Sequence, residues 1–409
     1  MRRWFAAVCA LAFVAAFSAN ARAGGDEALR AALDSGNFSA VEQMARGGVV
    51  RFYMYSGFAH ENGWVDGFAA QHLKRRYAVS LRRVPMNVSV FMNKLLAEKA
   101  AGVKEGSIDL LWINGENFKN AMKAGLLFGP FANRLPNFAL ADPQLAAYDF
   151  GYPVNGYEAP YGKAQFVFEY DQARTPSPPK NLQELTEWIK ANPGQFTYPQ
   201  PPDSTGSAFV RQAFYALTGG YRQYMAGFDR KLFDRNAPKL WAWLNGIKPY
   251  LWRAGGAYPR DAARLDAMFS RGEVGMSMSR HPLHAQMKIL EGVYPKSVRT
   301  FALQDGSIFN THFTAIPANS PNKAAALVVA NFLMSLDAQL SKYDPDNWGD
   351  FPVLDLSKLS EDWREKFGAV DLGAATLPAG ALQQAAVPEI PSAWLEALEK
   401  GWERNVLNR

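Results

Sequence analysis

The sequence predicts an α/β protein of two lobes, each a mainly parallel sheet flanked by helices, with the lobes joined by a two-strand hinge. Apolar, β-branched segments alternate with helical segments over residues 49–113, a pattern typical of βαβ units. The alternation resumes after Pro179. Two long extended segments, residues 157–170 and 306–317, enclose this second unit. The chain is therefore expected to leave one lobe, build the other and return.

The first lobe is expected to open with a buried strand, VVRFYMYS, over residues 49–56. A helix follows, because Val65, Ala69 and Leu73 recur every four residues and form one apolar stripe. The remaining predicted elements are a strand over residues 79–84, a helix over 88–101 and a strand over 108–113. Since parallel strands end at one edge of a sheet, the loops that follow them are expected to lie together.

The second lobe is expected to contain a helix over residues 182–190, because Asn181 and Glu184 have the spacing of a helix N-terminal cap. QFTYP, residues 195–199, is predicted to be the next strand. The segment RGEVGMSMS, residues 271–279, is typical of a turn followed by a buried strand.

After the return segment, Ser320 and Pro321 fit the N-cap and first position of a helix that runs through Leu336. The tail beyond it is rich in alanine and proline and shows no clear period. The predicted units are a signal peptide at 1–23, lobe 1 at 48–162 plus 308–341, lobe 2 at 163–307, and a C-terminal helical or irregular tail at 342–409 that packs on the lobes.

The first 23 residues are typical of an export signal. Arg2 and Arg3 precede an apolar run, and Ala21 and Ala23 give the small-x-small pattern that places cleavage after Ala23. The run is shorter than the ~20 residues that span a bilayer. We therefore expect a soluble periplasmic protein.

Loss of this signal changes the composition of the chain. Three arginines and no acid leave with it, so the formal net charge falls from +6 to +3. So small a positive charge argues against nucleic-acid binding. The single cysteine, Cys9, lies in the apolar run, so neither disulfide nor thiolate chemistry is expected in the mature chain.

The loop QPPDSTGS, residues 200–207, lies between a predicted strand and a predicted helix. Free backbone N–H groups and the positive end of the helix dipole can hold an anionic or strongly polar group there without a lysine. In the alternative interpretation, Ser204 or Thr205 merely caps the helix. A nucleophile site is a third interpretation, but Ser207 is not in a G-x-S-x-G turn and the segment contains no histidine.

Two further strand-to-helix loops carry polar and aromatic residues: YSGFAHEN at residues 55–62 and WINGEN at 112–117. Three such loops facing one cleft would form a polar pocket walled by aromatic rings. No cofactor and no metal are expected, because the sequence lacks nucleotide-loop and H-E-x-x-H motifs. His281 and His284 are three residues apart, yet Pro282 between them favours a loop over a metal site.

Five segments of the chain resemble the extracellular solute-binding proteins of ABC importers, in the group of thiamine, polyamine, iron and sulfate binders. They are VVRFYMYSGF, IDLLWINGENFKNAMKAGLL, PYGKAQFVFEYD, FSRGEVGMSMS and IPANSPNKAAALVVANFLMSLDAQ. The resemblance covers about residues 49–339. The segment WINGENFKNAMKAGLL is most similar in sequence to an uncharacterised branch of that group.

This resemblance implies a two-lobed periplasmic-binding-protein fold and a receptor rather than an enzyme. The implied partners are a small-molecule solute, an ABC permease and its ATPase subunit, with peripheral contact to that membrane complex and no nucleic acid. A monomer is expected. The implied solute is small and polar, either cationic-aromatic or phosphate-bearing, as in thiamine and its phosphates, or a polyamine. Asp109, Glu116 and Asp203 are the candidate acids for a polyamine.

Matching motifs carry over a set of ligand-binding residues. They are Tyr55, Ser56, Gly57, Trp112, Asn114, Ser204, Thr205, Gly206, Ser207, Trp252, Tyr258, Ser279, His281 and Asn310. Trp252 and Tyr258 fit a core or rim position equally well. The adjacent tyrosine pair that grips ferric ion in iron binders is missing from the sequence.

Two other functions stay open at this point. One is a secreted α/β hydrolase that uses a hydroxyl of the STGS loop with His281 or His312. The other is a sensor domain that feeds a signalling protein.

Overall fold

The computed structural model describes residues 25–55 and 59–408. The expected signal peptide, with its cleavage after Ala23, lies outside the described residues. The strands are β1 Val49–Met54, β2 Ser80–Pro85, β3 Leu110–Ile113, β4 Tyr148–Asp149, β5 Tyr152–Pro153, β6 Glu158–Gln165, β7 Val167–Asp171, β8 Met276–Ser279, β9 Val298–Phe301, β10 Ser307–Ala315 and β11 Ala386–Pro388.

Helices connect and cover these strands. They are α1 over residues 25–34, α2 Phe38–Ala45, α3 Ala59–Trp64, α4 Ala70–Tyr77, α5 Val88–Ala100, α6 Glu116–Lys123, α7 Pro143–Ala146, α8 Leu182–Ala191, α9 Ser204–Thr218, α10 Arg230–Ile247, α11 Ala262–Ser270, α12 His284–Leu290, α13 Lys323–Leu333, α14 Leu336–Tyr343, α15 Glu361–Gly368, α16 Ala379–Ala385 and α17 Ser392–Trp402. Short 3-10 turns cover Ala132–Arg134, Pro136–Leu140, Arg222–Tyr224, Lys248–Tyr250, Trp252–Gly255 and Leu356–Lys358. Single π-helical turns, Val65–Ala69 and Glu403–Leu407, lie after α3 and α17.

The larger sheet has six strands. β1 pairs in parallel with β2 and β3, β10 pairs antiparallel with β3 and β6, and β11 pairs in parallel with β10. Side chains alternate between the two faces, so Val50 and Phe52 join one buried cluster while Tyr53 and Leu111 join another. Helices therefore cover both faces, as predicted for an α/β lobe.

The second sheet corrects one part of the prediction. β7 pairs antiparallel with both β8 and β9, so this lobe does not have the expected mainly parallel sheet. The reason lies in the connections: β7 brings the chain into the lobe and β9 leads it out, so these two neighbours run in opposite directions. The α/β class itself is confirmed.

The segment QFTYP, residues 195–199, is not a strand. Its backbone accepts two isolated hydrogen bonds, from Gly275 N to Gln195 O and from Trp252 N to Phe196 O, each 2.8 Å long. The prolines that follow it have no N–H group, so a regular ladder does not extend toward the STGS loop.

The predicted helix from Pro321 to Leu336 is instead two helices. α13 begins at Lys323, and α14 begins after Ser335, which caps it through Ala338 N. Ser320 Oγ accepts a hydrogen bond from Asn322 N over 3.2 Å, as a cap would, but it closes the turn before α13 and not the helix itself. The same hydroxyl donates to Asp109 Oδ1 over 3.1 Å. Asp109 also accepts hydrogen bonds from Arg51, so it ties the return segment to β1.

The chain crosses between the two sheets by the two predicted extended segments and once more through its tail. Ala375 accepts a hydrogen bond from Thr300 of β9 over 2.9 Å, and β11 then pairs with β10 at the crossing. Further on, α17 places Trp394 and Trp402 in the core of the second lobe. The two-strand hinge therefore has a third strand beside it.

Of the helices the structure describes, none is by itself long and apolar enough to cross a membrane. α13 and α14 taken together are long and apolar enough by length and composition alone, but the chain bends by 55° at the break between them.

Candidate functional site

A cavity of about 500 Å³ lies between the two sheets, beyond the ends of β1, β3 and β8. Eight of the residues chosen from the sequence line it: Tyr55, Trp112, Asn114, Ser204, Thr205, Ser279, His281 and Asn310. They come from both lobes and from the return crossing. The predicted convergence of three loops on one cleft is thus visible in the fold, while two candidates of the first loop, Ser56 and Gly57, lie outside the described residues.

Four of the other candidates do not line this cavity. Gly206 and Ser207 are buried inside α9, where the Ser207 hydroxyl donates to Glu399 of α17. Trp252 and Tyr258 line a separate depression, and the Tyr258 ring packs 5.2 Å from that of Trp402. Their positions are those of core and rim aromatics.

The cavity is also lined by residues outside the set of ligand-binding candidates, although Asp203 and His312 among them were named from the sequence in other roles. They are Glu61, Asn117, Phe150, Ala164, Asp203, Asp261, Ala262, Ala263, Asp266, Met278, Arg280, His284 and His312. Arg280 was accessible to sequence reasoning, because it stands between two chosen positions. Glu61 and Asn117 belong to the two loops that were predicted to face the cleft, at residues 55–62 and 112–117, although neither was chosen as a ligand-binding residue. Phe150 carries no local signal, since only the folded chain brings it to the cleft.

Trp112 is held as a fixed aromatic wall. Its Nε1 donates to Asn114 Oδ1 over 2.9 Å, and Asn114 Nδ2 donates to Thr311 O over 2.7 Å. The ring of His312 meets the indole edge-on at 4.7 Å between centroids. The loop after β3 is therefore tied to β10, and a bound ring or cation would meet a rigid surface.

Gly115 continues this loop in a left-handed conformation, with φ of +61°. A Cβ there would lie 3.3 Å from the ring of Phe150, another cavity residue. Its N–H donates to Asp149 Oδ2 over 2.5 Å. Glycine at this position therefore lets the loop turn and brings Phe150 against it.

The start of α9 is capped by a residue other than the two weighed in the sequence. Asp203 Oδ1 accepts hydrogen bonds from Thr205 N over 2.9 Å and from Gly206 N over 3.1 Å. Its Oδ2 accepts from Ala262 N over 3.4 Å, which joins the starts of α9 and α11. These two N–H groups, which were expected to bind an anion, therefore donate to Asp203.

Replacing Asp203 by alanine is expected to lower the free energy of unfolding by about 1 kcal/mol, because both N–H groups lose their acceptor. Asp203→Asn keeps an acceptor oxygen and is expected to stay within a few tenths of a kcal/mol of the parent protein. Urea unfolding followed by tryptophan fluorescence measures both. Equal losses in the two variants would contradict the capping role.

His284 lies at the second-lobe side of the cavity between two carboxylates. Its Nδ1 is 2.7 Å from Glu169 Oε1 and its Nε2 is 3.3 Å from Asp266 Oδ2. Burial opposes the charged ring, but the two carboxylates together raise the pKa of His284 well above its usual range. The three groups are near enough to bind a metal ion, yet each ring nitrogen faces its own carboxylate, which is the geometry of an ion-paired imidazolium.

Arg280 brings a cation to the floor of the cavity. Its guanidinium donates to Asn310 Oδ1 and to Glu389 Oε1, the latter over 3.3 Å. Glu389 belongs to the tail and accepts two further bonds from Arg211, at 2.8 and 2.7 Å. The tail thus holds Arg280 in place from behind the cleft.

The three acids named for a polyamine lie in different environments. Asp109 is fully buried in its cluster with Arg51 and Ser320, away from the cavity. Glu116 bonds to Lys119 and to Ser392 of the tail. Asp203 alone lines the cavity.

The hydrolase alternative finds no support. In the described part of the chain no histidine bonds to a hydroxyl of the STGS loop, and Ser207, which does meet a carboxylate, is buried outside the cavity. A nucleophile needs its base within hydrogen-bond reach and its substrate beside it.

Comparison with known proteins agrees with this architecture. Residues 63–368 match the family model described as bacterial extracellular solute-binding protein. Protein YnjB of Escherichia coli (strain K12) is 39% identical over 374 residues, which cover 91% of this chain and 94% of YnjB.

Two solved structures share the fold at low identity. A spermidine/putrescine substrate-binding protein from Streptococcus pneumoniae superposes with a TM-score of 0.63 at 11% identity, covering 87% of this chain and 98% of that one. A periplasmic thiamin-binding protein gives a TM-score of 0.55 at 18% identity, covering 88% and 96%. With three-quarters of its length inside the family model, the chain belongs to the bacterial extracellular solute-binding proteins.

Proposed function

We propose that this protein is the periplasmic receptor of an ABC importer, that it captures a small polar solute bearing a cationic nitrogen group, and that it delivers this solute to the permease. The proposal rests on one observation: residues from both lobes and from the return crossing line a single cleft walled by aromatic rings and acids. The lobes would be residues 48–162 plus 308–341 and residues 163–307, with 342–409 packed on both.

The charge of the cleft favours a cation over a phosphate ester. Asp203, Asp261 and Asp266 line it together with Arg280 and the ion-paired His284. The helix start that would have received a phosphate already donates to Asp203. The rings of Trp112 and Tyr55 supply faces on which a cation is stabilised by roughly 0.5–2 kcal/mol.

Capture would proceed by closure of the lobes on the solute. A ligand stabilises the closed form by its higher affinity for that form. The receptor would act as a monomer and contact the membrane complex peripherally, while a cytoplasmic ATPase drives the permease.

Thermal-shift measurements test the class of solute. Thiamine, thiamine phosphate, putrescine and spermidine are each added, with sulfate and phosphate as anion probes. At a hundred times Kd a ligand adds about 2.7 kcal/mol of stability, so a Tm rise of about 4 °C is expected for at least one cation. Stabilisation by the anions alone would overturn the cation assignment, and no shift with any probe would overturn the proposal.

Two tryptophan variants locate the binding. Trp112→Ala is expected to remove the ligand-dependent rise in Tm, since Trp112 walls the cavity. Trp252→Ala, which removes the same ring outside the cavity, is expected to leave that rise unchanged whatever its effect on the Tm of the free protein. Loss of the rise in the second variant alone would move the site to the neighbouring depression.

A further inference from the structure

The lining of the cavity carries three polar atoms that have no hydrogen-bond partner among the described residues: Glu61 Oε2, His281 Nδ1 and His312 Nδ1. Asp350 and Lys342 act on the charge of all three side chains, which places them around the same buried pair. All three residues line the cavity, and Glu61 is only 4% exposed. A buried polar group without a partner costs about 1–3 kcal/mol. Three of them around one space therefore indicate a place that a ligand or water completes.

The nearest buried charges, those of Lys342 and Asp350, are already paired with each other. Lys342 Nζ lies 2.8 Å from Asp350 Oδ2, both side chains are fully buried, and the same ammonium donates to Tyr161 O. The lysine therefore does not supply the missing partner for Glu61. The other charged or titratable groups around the three atoms are Tyr161 of β6, Arg280 after β8, His284 of α12 and His60 of α3, whose Nε2 lies 3.0 Å from Glu291 Oε1.

The three side chains are uncharged near pH 7. Burial and the nearby Asp350 raise the pKa of Glu61 to about 8. Burial lowers the pKa of His281 to about 4 and that of His312 to about 3. A neutral imidazole keeps one ring nitrogen as an acceptor, so this place offers acceptors and one removable proton.

We propose, on the basis of the proposed function, that Glu61, His281 and His312 form the subsite for an N–H-bearing cation of the solute, an ammonium or amidinium group, and that this cation replaces the carboxyl proton of Glu61. The O–H bond of Glu61 breaks, its proton goes to water or buffer, and the carboxylate keeps the electron pair. That carboxylate accepts one N–H of the cation, and the imidazole nitrogens accept others. No bond to the solute forms and nothing is oxidised or reduced.

This exchange gives binding a signature in protons. Isothermal titration calorimetry with putrescine and spermidine, in PIPES and in ACES at equal pH, counts the protons released because the two buffers have different ionisation enthalpies. About 0.9 proton per bound solute is expected at pH 7, with affinity rising about tenfold from pH 6 to pH 7 and levelling above pH 8. Glu61→Gln cannot ionise, so its proton release is expected to fall to near zero.

Two variants separate this subsite from a general effect of burial. His312→Gln is expected to weaken binding about tenfold or more by altering an acceptor, while proton release persists. Glu158→Gln is the matched control, because Glu158 is also fully buried with both carboxyl oxygens unpartnered, and it does not line the cavity. It is expected to release protons like the parent protein.

The outcomes distinguish this inference from the function on which it rests. Tight binding of putrescine or spermidine without proton release overturns the subsite and leaves the receptor function standing. Equal affinity for the hexamethyl bis-quaternary derivative of putrescine, which keeps both positive charges and has no N–H donor, overturns it as well. A ¹³C-carboxyl NMR titration of the ligand-free protein that places Glu61 near its ordinary pKa does the same without any ligand. Failure of every organic cation to bind overturns both.

Discussion

Replacing Glu389 by alanine is expected to lower the free energy of unfolding by about 3–5 kcal/mol, because it leaves Arg211 as a buried charge without a partner. The side chains of Arg211 and Glu389 are each only 2% exposed, and two hydrogen bonds of 2.8 and 2.7 Å join them. Urea unfolding followed by tryptophan fluorescence measures the loss. The dependence of the free energy of unfolding on urea concentration should stay unchanged, since the surface area exposed on unfolding is nearly the same.

A double variant separates the cost of an orphaned charge from the net contribution of the pair. Arg211→Met with Glu389→Met removes both charges of the pair and keeps apolar volume, so the part of the loss that is due to Arg211 should return. The part that is due to Arg280, which also loses its carboxylate partner, should remain. A loss below about 1 kcal/mol in Glu389→Ala would show that Arg211 is solvated and that the pair does not anchor the tail.

Glu61→Gln is expected to change how stability depends on pH. The folded-state pKa of Glu61 is about 8 against an ordinary value of 4.5, so the folded protein holds a proton that the unfolded chain loses. Each pH unit in this window lowers the free energy of unfolding by up to 1.36 kcal/mol. The contribution of Glu61 to stability is thus full below pH 4.5 and is lost as pH rises through 8, a total of about 5 kcal/mol.

The measurement compares the free energy of unfolding of the parent protein and Glu61→Gln from pH 4.5 to pH 8.5. Their difference should move by about 4 kcal/mol in favour of glutamine as pH rises. The lowered pKa values of His281 and His312 act in the opposite direction, since the stability they contribute is lost as pH falls, but they cancel in the difference. Parallel curves for the two proteins would contradict a protonated Glu61.

The fold was predictable where local pattern and tertiary structure agree. The alternation of strands and helices over residues 49–113 gave β1 to β3 in their right places, and Asn181 caps α8 through Glu184 N as expected. The second sheet was not predictable, because the direction in which β7 meets β8 and β9 depends on long connections. β11 has only three residues and takes its strand conformation from β10.

The site was predictable in its outline and not in its charges. Loops that follow parallel strands converge by geometry, so Trp112 and Asn114 could be chosen from the sequence. The cap at α9 was assigned one or two residues too late, because aspartate, serine and threonine are all good N-caps and only the backbone decides between them. The protonation of Glu61 and the ion pair of Glu389 depend on burial and on residues more than 170 positions away in the sequence, so neither could be predicted from the local sequence.

The strand β11 changes what kind of movement the crossing allows. Two paired strands form a narrow ribbon, which bends across its width and also twists along its length. With β11 bonded along β10 at Ser307, Ile308 and Phe309, the ribbon is wider at the point where the lobes meet. A wider ribbon resists twisting more than bending. The two lobes are therefore expected to open and close by bending about a single axis, with little rotation of one lobe relative to the other.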